Sequence, residues 1–137
     1  MCDVAERLEQ RGMKRGKEVG EWVGKITMCK EFGLSDEEAA KKMNISAEKL
    51  KGVLEKYTKY KSILIVNKEK EIKTMCDVAE KLEQRGLELG IEIGELVGKI
   101  IMCKDFGLSD EETAKKLNIS VKTLRETLKK RDLQLQR

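Results

Sequence analysis

The sequence predicts an all-α protein made of two tandem repeats, each a long Gly-xxx-Gly helix followed by a short helix-turn-helix-like pair. Three observations carry this. Residues 1–57 and 75–131 align without a gap at an offset of 74, with 38 of 57 positions identical. Each copy holds four glycines spaced by four: Gly12, Gly16, Gly20 and Gly24, then Gly86, Gly90, Gly94 and Gly98. The chain has no proline, 4% aromatic residues and 39% charged residues, a composition rich in helix formers. The division expected is repeat 1 over 1–59, a connector over 60–67 and repeat 2 over 68–137. A module of about 60 residues is marginal by itself, so the two copies are expected to pack on each other or on another chain.

The first long helix is predicted from the start to about Glu31. Val4 and Leu8 share a face, and Asp3 and Glu6 sit in the first turn, where a carboxylate favours the helix dipole. Glycine inside a helix costs roughly 1 kcal/mol against alanine, so a ladder of four costs on the order of 4 kcal/mol. Close approach of a second backbone is the gain that offsets such a loss. Residues four apart line one side of a helix, and four glycines there form a shallow groove. The pattern is familiar from membrane helices, but Lys14, Arg15, Glu18 and Glu21 exclude a bilayer span here. The eight glycines are therefore the candidate helix-packing residues. The ladders are expected to pack together, antiparallel, within one chain or between chains. The second ladder has the more apolar flank and is expected to be the more buried, the first partly solvated.

Phe32-Gly33 ends the helix, with Gly33 as a left-handed cap. Ser35 and Glu38 form a capping box for a short second helix through Met43. Asn44-Ile45 is a tight turn. Ser46 caps a third helix from Ala47 to about Lys59, with Leu50, Val53 and Leu54 inward. Ser62 to Val66 is β-like, but a single strand cannot be stable; an extended connector or an extension of a helix is expected. The charged run from Lys68 is expected to join the second long helix, which would end near Asp105. The second copy then repeats the signals: Gly107 cap, Ser109/Glu112 box, helix to Leu117, Asn118-Ile119 turn, Ser120 cap and a helix from Val121 to about Leu133.

The segment from Ser109 to Glu126 resembles a helix-turn-helix. Ala114 is small where the two helices would cross, and Asn118 tolerates the left-handed turn. Lys122, Thr123, Arg125, Lys129 and Lys130 are the candidate DNA-binding residues, at the start and along the exposed side of the second helix. Residues 121–137 carry six basic and two acidic groups, and residues 47–61 five and two. Basic residues late in a helix also complement its dipole, which needs no DNA. Thr127 stands where an apolar residue is expected. In the first copy Ala47, Glu48 and Lys49 make a weaker reading surface.

Other chemistry has little to rest on. The chain has no histidine, so Ser-His and Cys-His pairings are excluded. Its net charge of +4 is mildly basic. Cys2, Cys29, Cys76 and Cys103 are two residues duplicated, and a separation of 27 within a copy fits no metal-ligand spacing. Reduced thiols in a cytoplasmic protein are the reading, with no catalytic residues, no metal, no cofactor and no small-molecule substrate. No signal peptide or membrane span is read.

The run from Lys68 through Met75-Cys76-Asp77-Val78-Ala79-Glu80 to Gly86, then glycine every fourth residue, then Met102-Cys103-Lys104-Asp105-Phe106-Gly107-Leu108-Ser109, resembles the C-terminal tail of Rpn-type recombination-promoting nucleases, also described as transposases of the PD-(D/E)XK nuclease family. Residues 1–57 resemble it again. The resemblance implies a duplicated tail without the nuclease domain that precedes it in the family. Glu71-Ile72-Lys73 has the Glu-x-Lys form of a nuclease core but lacks its partner aspartate on a strand, so no catalytic residue is carried over and an enzyme is not expected. The expected function is a non-catalytic helical association module, with DNA contact through the helix-turn-helix-like segments as a second expectation. The alternative is a structural remnant or partner-binding scaffold without DNA contact.

Overall fold

A computed structural model describes the backbone of residues 2–135 and the side chains of residues 4–130. Among the described residues the chain is all-helical: α1 (Cys2–Glu31), α2 (Asp36–Lys42), α3 (Ala47–Lys68), α4 (Met75–Asp105), α5 (Asp110–Leu117) and α6 (Val121–Leu135). The long helices α1 and α4 form a central stalk. Helices α2 and α3 pack on α1, and α5 and α6 pack on α4.

The stalk is parallel, not antiparallel as expected. Gly12 faces Glu83 and Leu87, Gly16 faces Gly90 and Ile91, Gly20 faces Gly94 and Glu95, and Gly24 faces Glu95 and Lys99. Numbers rise together along both helices, so both run the same way. The link from α1 to α4 is long enough to allow this, because α2 and the extended α3 return the chain to the start of the stalk.

Local signals explain most boundaries. Gly33 and Gly107 both have φ of 88°, the left-handed caps that stop α1 and α4. Both capping boxes form: the Ser35 hydroxyl accepts from the Glu38 N–H while the Ser35 N–H donates to the Glu38 carboxylate, and Ser109 and Glu112 do the same. Asn44 and Asn118 take φ of 58° in the turns before α3 and α6.

Three expectations change. The third helix does not end near Lys59: α3 runs on through residues 60–67 to Lys68, so Ser62 to Val66 is the helix extension, one of the two forms expected, and not an extended connector. The charged run 69–73 does not start the second long helix. Thr74 caps α4 at Met75, its hydroxyl accepting from the Asp77 N–H while the Asp77 carboxylate accepts from the Thr74 and Lys73 amides. That local cap outcompetes helical continuation from Lys68. Finally, the first ladder is not partly solvated. All eight ladder glycines are buried, because each ladder is the wall of the other. Of the apolar residues flanking the second ladder, Leu87, Ile91, Val97 and Ile100 are buried, while Leu89 and Ile93 are each 36% exposed.

Candidate functional site

The most specific site in the fold is the seam between the ladders. A methyl group placed on Gly20 would lie 2.5 Å from the Ile91 carbonyl oxygen, and one on Gly94 would lie 2.6 Å from that of Lys17. The other six ladder glycines meet backbone just as closely: Gly12 the Glu83 carbonyl, Gly86 that of Glu9, Gly90 that of Met13. Carbonyls of one helix thus point at glycine Cα–H groups of the other, the geometry of weak Cα–H···O contacts worth perhaps 0.5–1 kcal/mol each. These contacts and the dispersion gained by two touching backbones offset the helix-propensity cost. The contacts are reciprocal. Whatever Gly12 makes to α4, Gly86 makes to α1, one register of 74 residues away.

Reciprocity extends beyond the seam. Lys30 pairs with Asp36 at 2.9 Å, and Lys104 with Asp110 at 2.7 Å. The Phe32 and Phe106 rings stack on each other at the C-terminal end of the stalk. Around them Ile26, Met28, Cys29, Leu50, Met102 and Cys103 form the main core. Burial pushes both the Cys29 and Cys103 thiols above their ordinary range. They are core residues, as the sequence suggested for reduced thiols. Cys76 is free and exposed; the side chain of Cys2 lies outside the described residues.

On one flank α3 folds back along the stalk. Tyr60 and Leu64, with Tyr57 beside them, pack against Val19, Val23, Leu87 and Ile91. Sequence reasoning ended α3 near Lys59 and missed this layer. The signal was present: Tyr57, Tyr60 and Leu64 are spaced by three and four, one face of a helix. Arg15 reaches across the same region to Glu83 at 2.6 Å, with its guanidinium 6.0 Å from the Tyr60 ring.

The candidate DNA-binding residues divide. Lys122 and Lys129 are exposed on α6. Arg125 is exposed too, but its Nε lies 3.6 Å from Asp110 on α5. Thr123 belongs to the cap: its N–H donates to the Ser120 hydroxyl, which donates in turn to the Thr123 Oγ1. Thr127 donates to the Thr123 carbonyl, and Thr127 and Lys130 border a cleft against the stalk. Within the pair, Ala114 and Leu124 are buried with Ile100, while Ile119 and Leu128 pack at the edge. This small cluster joins α5 and α6 to α4. The turns of the pairs α2–α3 and α5–α6 both lie at the C-terminal end of the stalk, from which α3 runs back along it.

Glu71-Ile72-Lys73 lies in the non-helical link between α3 and α4, not in a helix-like run. Among the described residues no group of three or more metal-binding side chains comes together, and no helix is long and apolar enough to cross a membrane. No family model matches the chain, and neither a curated protein nor a solved structure is similar to it.

Proposed function

We propose that the chain is a tandem duplication that folds as a fused parallel dimer, and that it serves as a non-catalytic, cytoplasmic association module. The observation that carries this is the reciprocal glycine-to-backbone packing of α1 against α4. A helix weakened by four glycines has no reason to exist except to meet its partner. The residue pattern from Met75 to Ser109, like that from Met1 to Ser35, supports a relationship to the tails of Rpn-type nucleases. In a protein with one copy, the same seam would join two chains.

The test is a Gly90→Leu/Gly94→Leu variant. Loss of the cooperative thermal transition, or a shift from monomer to heterogeneous aggregate by sedimentation, supports the reading. A variant that melts and sediments like the parent overturns it.

A parallel stalk favours a second reading, contact with duplex DNA. It holds two helix-turn-helix-like pairs at one end, as a dimeric DNA reader does. Lys122, Lys129 and Arg125 lie three and four apart on α6 and supply the positive face. A labelled random duplex, titrated at low and moderate salt, decides. Affinity that falls steeply with salt, and falls further in Lys122→Ala/Arg125→Ala, supports DNA contact. No binding at low salt leaves a protein-binding scaffold.

A further inference from the structure

The two helical pairs share a backbone but not a surface. Ser46 and Ser120 cap α3 and α6 alike, each hydroxyl accepting from the N–H three residues on. Asn44 and Asn118 turn with the same φ of 58°. The acidic first turn and basic last turn of α2 recur in α5. The second helices differ. Lys122, Arg125 and Lys129 line one exposed face of α6, spaced by three and four. At the places 74 positions earlier α3 has Glu48, Lys51 and Glu55, exposed as well. Two lysines of one copy are thus glutamates in the other. The remaining lysines at the start of α3 lean on aromatic rings: Lys49 Nζ lies 4.7 Å from the Trp22 ring, and Lys56 Nζ lies 5.8 Å from the Tyr60 ring. At the place of Trp22 the second copy has Leu96, which offers no such ring.

Resting on the DNA reading above, we propose that the chain grips duplex DNA with α5–α6 alone, although its fold carries two pairs. Phosphates that attract Lys122 and Lys129 repel Glu48 and Glu55 at the equivalent places, and like charges set opposite each other suppress a contact. Two equal arms on a two-fold reader meet two half-sites about one helical turn apart. A chain with one cationic arm meets a single half-site, so its target has no palindrome. The backbones of the two pairs match, so charge rather than shape makes the difference.

The experiment measures affinity for a labelled random duplex across a salt series, by fluorescence anisotropy. Lys122→Ala/Lys129→Ala should weaken binding about tenfold and flatten the slope of log affinity against log salt by about 1.8, two phosphates at about 0.9 each. Lys51→Ala/Lys56→Ala should change affinity by less than about twofold and leave the slope as it is. Glu48→Lys/Glu55→Lys gives α3 the charges of α6 and should tighten binding and steepen the slope. All six side chains are exposed, and thermal melts of each variant confirm that the fold is kept. Equal losses in the two alanine variants would mean that both arms touch DNA, and would overturn the proposal. A Glu48→Lys/Glu55→Lys protein that binds like the parent would overturn the role given to the two glutamates. A parent that does not bind at low salt is a different result: it removes the DNA reading itself, and this inference with it.

Discussion

Phe32 and Phe106 stack with ring centroids 4.3 Å apart and planes 17° apart, and each is covered by a lysine from the opposite half of the chain. Lys116 of α5 lies 4.9 Å from the Phe32 ring, and Lys42 of α2 lies 4.4 Å from the Phe106 ring. The pair therefore ties both short helices to the end of the stalk. Phe32→Ala and Phe106→Ala should each destabilise by about 2 kcal/mol, less than a fully buried phenylalanine because both rings are only partly buried. The double variant should lose less than the sum, by about 0.5–1.5 kcal/mol. Urea denaturation of the four proteins gives the coupling; strict additivity would contradict the stack.

Glycines in this chain should respond to alanine with opposite signs. At Gly20 the added methyl meets backbone on α4 that cannot move alone. Gly20→Ala should cost about 3 kcal/mol or more, beyond the usual range for overpacking. At Gly52, inside α3, nothing lies within 4 Å of the added methyl. Gly52→Ala should stabilise by about 0.5–1 kcal/mol through helix propensity. Thermal melts of both variants provide the check.

Thr113 carries a fully buried hydroxyl that has no hydrogen-bond partner among the described residues. The corresponding position in the first copy is Ala39. An unsatisfied buried hydroxyl costs about 1–3 kcal/mol. Thr113→Val keeps the shape and removes the hydroxyl, so it should raise stability by about 1 kcal/mol. A lower denaturation midpoint would mean that the oxygen has a partner after all.

Alkaline pH should loosen the flank covered by α3. Burial, then the Glu95 carboxylate, pushes the Tyr57 phenol up to about 12 from its ordinary value near 10. The folded state thus holds this proton more tightly than the unfolded state. The contribution is fully present below pH 10 or so and is lost as pH rises from about 10 through about 12. Compared at pH about 9 and about 11, the stability gap between the parent and Tyr57→Phe should change in favour of the variant at the higher pH.

Alkylation should separate the thiols. Cys29 and Cys103 are buried in the core at the end of the stalk, and burial holds their thiols protonated. Cys76 is exposed in the first turn of α4. Iodoacetamide under native conditions should modify Cys76 and spare Cys29 and Cys103, with peptide mapping as the readout. Modification of Cys103 at the rate of Cys76 would contradict the buried core.

Much of this fold was legible because its signals are local. Ser35 with Glu38, Ser109 with Glu112, Gly33, Gly107, Asn44 and Asn118 each announce a boundary through chemistry within four residues. The glycine spacing also announced a close helix contact. Direction was not legible. A ladder of identical residues reads the same from either end, and only the register of Gly12 against Glu83 settles it. The length of α3 was obscured because Ser62 to Val66 is rich in β-branched residues, whose preference is weak beside the burial of Tyr60 and Leu64. The start of α4 was hidden by Lys68 to Lys73, whose composition suits a helix, while Thr74 and Asp77 hold a cap. In the candidate DNA surface, charge could be counted from the sequence, but not the engagement of Arg125 by Asp110.

The parallel ladder has a consequence for how the chain acquires its shape. Every glycine contact in the seam joins residues about 70 positions apart, whereas most helical proteins rely on neighbours. Neither α1 nor α4 can be a durable helix before the other arrives, since each carries four glycines. The nucleus must therefore close a long loop before any seam contact forms. On a ribosome, α1 waits for α4 to be made, and during that interval its grooved face is open to the same face on another nascent chain. Exchange of long helices between two copies is thus the characteristic misassembly of this sequence, and it is most probable when many chains are made at once.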